Sequence, residues 1–307
     1  MASTNREINE IAFYRIEEGI TLKKYTLGLY EKAMPEQLSW REKLIHAKEA
    51  DYDFMEMSID ETDHKLARLY MSKKDRLELI RLMYEVELPI RSICLSGHRK
   101  YPLGSEDPSV VKCGLEIAEK TIQLADDLGV RMIMLAGYDV YYEESSIKTK
   151  ARFEENLKLV IEMAEAAGIL LGFETMETEF MNTVQKSMKY VNDMKSAYLN
   201  VYPDIGNIMN AAVSCQKDVY EDLKTGESKL IAMHLKETVP GKYRDMMYGE
   251  GHVDFQKAIQ TAWALNVRRF VTEFWYLGNE NWKENLKRSN DFMSDLLDKE
   301  ALCQSEM

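Results

Sequence analysis

From Tyr25 onward, short apolar runs alternate with longer amphipathic segments along most of the chain. This alternation is typical of repeated strand and helix units whose parallel strands are buried on both faces. Eight runs fit strands, and they comprise residues 26–30, 54–58, 91–95, 132–135, 170–174, 199–202, 230–235 and 269–273. Eight such units close into a barrel of about 250 residues. The sequence therefore predicts an α/β fold, a single-domain (β/α)8 TIM barrel.

Residues that start and end helices support the same count. Ser39 and Ser72 are each followed three residues later by an acidic residue, which fits capping boxes at the first two helices. Gly129 and Gly168 stand after long helical segments, where a left-handed residue ends a helix, and a predicted strand follows each of them. Asp254 fits the cap of a helix over residues 255–265.

The two ends of the chain differ from the repeated units. Residues 1–24 precede the first strand and contain a helix-like stretch over residues 7–18, so we expect a helical extension that packs across the barrel floor or at a subunit contact. Residues 25–298 form the predicted catalytic barrel, and residues 299–307 are expected to fray. We find no Pro/Gly/Ser linker and no internal repeat that would mark a second domain.

Composition excludes several classes of partner. The formal net charge of −12 repels polyanions, and no basic stripe interleaved with aromatic residues is present, so nucleic acid is not expected as a partner. No run approaches the roughly 18 apolar residues of a membrane span, and the charged start lacks a signal-peptide core. The four cysteines are scattered without a Cys-x-x-Cys pair, which fits a reducing cytoplasm.

Four side chains that can bind metal ions end apolar runs in the second half of the chain: Glu174, Asp204, His234 and Glu273. Barrel enzymes place their chemistry at the carboxyl ends of the strands, so these residues are expected to form one ring. One Asp, one His and two Glu can bind a divalent cation such as Zn²⁺, Mn²⁺ or Mg²⁺. The pattern predicts a metal-dependent enzyme.

Each of these residues alone has a second interpretation. Glu174 and Glu273 would also fit surface carboxylates or salt bridges just beyond their strands. Asp204 follows Pro203 and would equally fit a helix or loop cap. His234 alone would fit a hydrogen-bonded core residue. Together the four favour a metal site.

Glu174 and Glu273 are also the predicted catalytic pair. The fifth and eighth strands lie on opposite sides of a barrel, so the two carboxylates are expected to flank a substrate bound at the centre. One carboxylate could remove a proton from carbon while the other delivers a proton to the opposite face. Such an exchange inverts that carbon.

Further residues are candidates for substrate contacts. His98 and Arg99 follow the third strand and fit either a substrate contact or a solvated basic loop. Lys236, two residues after His234, could bind a phosphate or a substrate oxygen. Trp275 is expected to form a pocket wall. Glu177 and Asn207 are also predicted to bind substrate.

A glycine-containing loop after the seventh strand has two interpretations. Gly249 and Gly251 lie in GEGHVDF, at residues 249–255. Their backbone N–H groups could form an anion-binding nest, or the loop could be only a turn before the next helix.

Five segments resemble a known family. They are LGLYEKAMP (27–35), EMSIDETD (56–63), CLSGHRKYPLGSED (94–107), LAGYDVYY (135–142) and YPDIGN (202–207). In this order they resemble the sugar-phosphate 3-epimerases of the xylose-isomerase-like barrel superfamily, in particular the L-ribulose-5-phosphate (L-xylulose-5-phosphate) 3-epimerase family. The resemblance extends from about residue 26 to the last helix.

The resemblance implies the same site. The metal ligands of the family correspond to Glu174, Asp204, His234 and Glu273, and its acid/base pair to Glu174 and Glu273. Related enzymes that act on free ketohexoses typically carry His three residues after the Asp ligand and Arg six after the His ligand. This chain has Asn207 and Pro240 there. The difference favours a phosphorylated ketopentose as substrate.

The expected activity is reversible inversion at C3 of L-ribulose 5-phosphate through an enediolate. A sugar-phosphate aldose–ketose isomerase could share the metal ring while moving hydrogen between C1 and C2, and a hexulose-6-phosphate isomerase on the same barrel is a further alternative. A DNA-repair endonuclease would require more than the five histidines present and a basic groove. A sugar-binding barrel would keep the ligands without turnover. The residues leave the metal open, and they allow a homodimer.

Overall fold

A computed structural model of the protein describes residues 23–303. The predicted N-terminal extension therefore lies almost entirely outside the described residues, and its helix-like stretch over residues 7–18 lies wholly outside them. Within the described range, no helix is both long enough and apolar enough to cross a membrane.

Eight parallel strands form the centre of the fold. Neighbouring strands pair in the order β6, β5, β4, β3, β2, β1, β8, β7. Their bounds are β1 Thr26–Tyr30, β2 Phe54–Ile59, β3 Ile90–Leu95, β4 Met132–Ala136, β5 Leu170–Glu174, β6 Leu199–Val201, β7 Met233–Leu235 and β8 Arg269–Thr272. Each lies within a residue or two of its predicted run, except that β7 begins three residues later than predicted.

The segments around β6 and β7 close the sheet into a barrel. Val201 forms a parallel bridge with Leu230, and Asp204 forms one with His234. The His234 N–H donates to the Pro203 carbonyl over 2.9 Å. The predicted (β/α)8 barrel is therefore confirmed, and the bridge between Asp204 and His234 lies at the ring of candidate ligands.

Helices cover the outside of the barrel. The longer ones are α1 Trp40–Glu49, α2 Lys73–Val86, α3 Pro108–Leu128, α4 Ile147–Ala167, α5 Val184–Met194, α6 Ile205–Cys215, α7 Val219–Lys224, α8 Phe255–Ala264 and α9 Trp282–Cys303. Short helical turns are Glu31–Ala33, Asp63–Leu66, Ala67–Tyr70, Gly97–Arg99 and Glu179–Met181.

The predicted helix ends are confirmed. Ser39 and Ser72 form full capping boxes with Glu42 and Asp75. Gly129 and Gly168 end α3 and α4 with φ of 71° and 69°, a conformation that glycine adopts without steric cost. The Asp254 side chain accepts a hydrogen bond from the Lys257 N–H and caps α8. The helix α9 continues through Cys303, five residues into the segment expected to fray.

Two apolar regions stabilise the barrel. The larger one fills the space between the sheet and the helices, where strand residues such as Leu27, Met55 and Leu171 are fully buried. A second group, which includes Tyr30, Phe54 and Tyr202, packs separately from it. The polar residues of the site lie next to this second group, because Tyr30 and Tyr202 both contact the ring of His234.

Candidate metal centre and active site

The four predicted ligands converge on one point. One donor atom from each of Glu174, Asp204, His234 and Glu273 lies within 4.8 Å of the other three donor atoms. Glu174 ends β5, Asp204 opens α6, His234 lies inside β7 and Glu273 follows β8. Parallel strands of a closed barrel bring these carboxyl ends together. The role of the four residues as ligands remains a prediction, which their geometry supports.

Asp204 is both a cap and a candidate ligand. Its Oδ1 accepts a hydrogen bond of 2.9 Å from the Asn207 N–H and so caps α6. Its own N–H donates to Thr175 Oγ1 over 3.0 Å. The cap fixes the carboxylate, and Oδ2 remains directed to the cluster, where Lys236 Nζ lies 2.5 Å away.

His234 is oriented by a carboxylate that the sequence analysis did not select. Its Nε2 lies 2.6 Å from Glu56 Oε1. The other ring nitrogen, Nδ1, lies 2.8 Å from Glu273 Oε2 and 3.3 Å from Glu174 Oε1. We therefore assign the Nε2 proton to the bond with Glu56, which leaves Nδ1 free to bind a cation.

Glu56 is held in its turn by two hydroxyl donors. Ser92 Oγ and the Tyr202 hydroxyl donate to its Oε2 over 2.6 and 2.9 Å. Glu56 is fully buried in β2, a strand buried along its whole length. A charged residue inside an apolar strand was the available sequence signal for it.

The cluster carries more negative than positive charge. Burial raises the pKa of Glu174, and the nearby Glu273 raises it further. Burial also raises the pKa of Asp204 well above its usual range, against the opposing effect of Lys236. Burial disfavours a charged His234, but the carboxylates of Glu56 and Glu273 outweigh it and raise the pKa of His234. In the absence of a cation, protons therefore compensate part of the charge.

The surroundings of two buried carboxylate oxygens indicate whether a cation fits the cluster. Asp204 Oδ2 and Glu273 Oε2 accept no hydrogen bond of regular geometry, although Lys236 Nζ and His234 Nδ1 lie close to them. Buried acceptors without a proper donor are rare unless an ion or water satisfies them. A set of three carboxylates and one imidazole suits Mn²⁺, Zn²⁺ or Mg²⁺. The residues fit a divalent ion.

Five of the six predicted substrate contacts line the cavity above this cluster: Arg99, Glu177, Asn207, Lys236 and Trp275. Lys236 Nζ donates to Asn207 Oδ1 over 2.8 Å, and the Asn207 amide donates to the Thr175 carbonyl over 2.7 Å. These two side chains therefore stabilise the floor of the cavity. Their contact with a substrate remains a prediction.

The prediction for His98 is wrong. Its side chain is 3% exposed and does not line the cavity. Its Nε2 is hydrogen bonded to the Gly114 carbonyl of α3 over 3.0 Å. Burial lowers the pKa of His98 to about 4, so the ring is neutral. The residue connects the turn after β3 to α3.

The proposed anion nest is occupied by the protein itself. Glu237 is 2% exposed and accepts hydrogen bonds from the N–H groups of Gly249, Val253 and Thr238. A side chain at Gly251 would collide with this carboxylate. The loop therefore binds a carboxylate of the chain itself in place of an external anion, and Glu237 anchors the loop after β7.

That loop supplies cavity residues that the sequence analysis missed. Tyr243 and Arg244 line the cavity, as do Tyr30, Lys32 and Cys94 from the first half of the barrel. A basic residue in the loop after β7, at the catalytic face, was the available signal for Arg244.

Comparison with known proteins places this chain in a family. The family described as xylose isomerase-like TIM barrel matches residues 44–296. The L-ribulose-5-phosphate 3-epimerase UlaE of Salmonella paratyphi A is 38% identical over 284 residues, which cover 92% of this chain and 99% of that protein. UlaE of Escherichia coli strain SMS-3-5 is 43% identical over 239 residues, which cover 78% and 83%.

Solved structures share the fold at low sequence identity. A D-psicose 3-epimerase solved in the presence of D-fructose has a TM-score of 0.74 at 15% identity, over 89% of this chain and 99% of that one. An L-ribulose 3-epimerase has a TM-score of 0.72 at 19% identity, over 92% and 97%. The chain belongs to the xylose isomerase-like TIM barrel family and, within it, to the sugar-phosphate epimerases related to UlaE.

Proposed function

We propose that the protein interconverts L-ribulose 5-phosphate and L-xylulose 5-phosphate by inverting C3. The observation that carries the proposal is the convergence of Glu174 and Glu273, from strands on different sides of the barrel, on one buried point. The names of the relatives at 38% and 43% identity support the choice of substrate.

Glu174 and Glu273 would move the protons. The hydrogen on C3 is acidic because C2 is a carbonyl, so a carboxylate within hydrogen-bond distance can remove it. The second carboxylate then delivers a proton to the opposite face, and the same pair works in reverse. Both carboxylates are almost fully buried, which excludes bulk water from the reacting carbon.

The other residues of the cluster would bind the cation and hold it. Glu174, Asp204, His234 and Glu273 would be its ligands, and Glu56 would orient the imidazole. A divalent ion supplies Lewis-acid stabilisation of the enediolate charge, and we expect several kcal/mol from this effect. Lys236, near both Asp204 and Glu273, would hold the two carboxylates in place.

Product analysis tests the proposal. We expect the metal-loaded enzyme to convert L-ribulose 5-phosphate to L-xylulose 5-phosphate, with the carbonyl retained at C2 in NMR spectra. An aldopentose phosphate as the product would instead indicate hydrogen transfer between C1 and C2 and would contradict the assignment. A panel of other pentulose 5-phosphates and of hexulose 6-phosphates serves as the comparison.

A further inference from the structure

A buried carboxylate joins the two loops that follow β3 and β4. Asp139 is fully buried in the loop between β4 and α4. Its Oδ2 accepts hydrogen bonds of 2.7 Å from the Ser145 hydroxyl and from the Thr149 hydroxyl. Its carbonyl oxygen accepts a hydrogen bond of 3.0 Å from the Gly104 N–H, in the loop after β3. These four residues form a contact between the two loops that we call the loop junction.

The first turns of α4 fix the loop junction. The Thr149 hydroxyl accepts the Ser146 N–H over 2.8 Å in the capping box of α4, and it donates to the Asp139 carboxylate. Arg152 Nη1, from the next turn of the helix, donates to the Gly104 carbonyl over 3.1 Å. Both loops are therefore bonded to the same end of one helix.

The loop junction is also closely packed at Gly104. A Cβ atom on this residue would lie 2.5 Å from the Asp139 carbonyl oxygen and 2.6 Å from the Thr149 carbonyl oxygen. Both oxygens belong to the backbone, so a larger residue would have to push the two loops apart. The close approach of the loops therefore requires glycine at this position.

The Asp139 carboxylate is only half satisfied. Its Oδ1 is buried and accepts no hydrogen bond within residues 23–303. A buried polar atom without a partner costs free energy of folding. Proteins tend to keep such costs where a function depends on the geometry. The half-satisfied carboxylate therefore favours a functional role for Asp139.

The two loops carry side chains that shape the cavity above the cluster. The hydroxyls of Tyr138 and Tyr141 donate to the two oxygens of the Glu177 carboxylate over 3.0 and 3.2 Å. Arg99, in the loop after β3, donates to the Tyr138 hydroxyl over 3.1 Å. Arg99 and Glu177 both line the cavity. Tyr138 directly precedes Asp139, so the loop junction determines where these groups lie.

We propose that Asp139 is a positioning residue for the reaction: it holds the loops after β3 and β4 as one unit and thereby places Arg99 and Glu177 against the substrate. This inference rests on the proposed function, because it assigns a role in binding that substrate. No hydrogen bond of the loop junction reaches the four candidate metal ligands. Loss of the junction should therefore weaken substrate binding and leave metal binding intact.

Steady-state kinetics test the proposal. Asp139→Ala removes the acceptor of both hydroxyls, so we expect KM for L-ribulose 5-phosphate to rise about tenfold or more while kcat stays within about threefold of the wild type. Gly104→Ala should have the same effect from the other loop. Glu144→Ala is the matched control, because this exposed side chain on the same loop has no hydrogen bond or ion pair within residues 23–303. An unchanged KM in Asp139→Ala, or a loss confined to kcat, would overturn the inference.

Two milder variants separate positioning from a failure to fold. Asp139→Asn keeps an acceptor for the Ser145 and Thr149 hydroxyls, so its KM should return to within about threefold of the wild type. Thr149→Val keeps the shape of the side chain and removes one donor, and it should raise KM severalfold even if Asp139→Ala does not fold. Asp139→Asn with a KM as high as that of Asp139→Ala would contradict the role of these hydrogen bonds, as would a wild-type KM in Thr149→Val.

Amide hydrogen exchange separates this inference from the proposed function. In the metal-loaded protein, NMR should show a protected Gly104 N–H whose exchange rate rises about tenfold or more in Asp139→Ala. The dissociation constant for Mn²⁺ should stay unchanged. If the exchange rate rises in this way but the wild type forms no product, only the proposed reaction fails. If the Gly104 exchange rate is the same in both proteins, the loop junction is refuted, even in an active enzyme.

Discussion

At the scale of single residues, Glu56 determines how His234 faces the cluster. Its carboxylate lies 2.6 Å from Nε2 and is fixed by two hydroxyl donors. Glu56→Gln keeps the shape and removes the charge, so we expect metal affinity to fall about 10–100-fold. At saturating metal, kcat should change much less than affinity. Calorimetric titration with Mn²⁺ measures the effect, and an unchanged dissociation constant would show that Glu56 does not position the ligand.

A second prediction at the scale of single residues concerns Glu174 and Glu273, the two predicted catalytic residues. Glu174→Gln or Glu273→Gln removes a base and a ligand charge together, so we expect kcat to fall at least about 100-fold. Glu179→Gln, an exposed residue five positions after Glu174, is the matched control and should retain wild-type kcat. An active double variant that still binds metal would refute both roles.

At the scale of elements, His98 couples the turn after β3 to α3. Its pKa falls from 6.5 in an exposed chain to about 4 in the fold, so the unfolded chain binds a proton more readily. The contribution of His98 to the free energy of unfolding is complete above pH 6.5 and is lost as the pH falls toward 4. At pH 5 the loss is about 2 kcal/mol.

His98→Gln keeps a donor for the Gly114 carbonyl and does not titrate. Urea unfolding at pH 7 and pH 5, with chelator throughout, should therefore show a smaller drop in the free energy of unfolding for the variant than for the wild type. Equal drops in the two proteins would contradict the role assigned to this histidine.

At the scale of the whole molecule, the barrel and the convergence of the four candidate metal ligands were predictable from the sequence. Strand ends recur with the period of the βα unit, and barrel closure then brings Glu174, Asp204, His234 and Glu273 together without further information. Glu56 was not predictable in this way. Its role depends on a contact far away in the sequence, because His234 lies 178 residues from it. The prediction that His98 contacts the substrate was wrong for another reason. Its position after β3, at the catalytic face, did not show that its ring is buried against α3.

The effect of metal removal on stability belongs to the scale of the whole molecule, because four strand ends contribute to the cluster. A cation that binds only the folded chain stabilises it by about 2.7 kcal/mol at one hundred times its dissociation constant. We expect EDTA to lower the melting temperature and Mn²⁺ to restore it. Asp204→Asn should show little of this shift. A wild-type melting temperature that is indifferent to both additions would contradict the presence of a metal site.

The central claim is that two carboxylates exchange a proton at C3 on opposite faces of one sugar. Reaction of L-ribulose 5-phosphate in deuterated water, followed by NMR, tests it most directly. We predict L-xylulose 5-phosphate that carries deuterium at C3 and none at C1. Product that forms without deuterium at C3, or with deuterium at C1, would contradict the account.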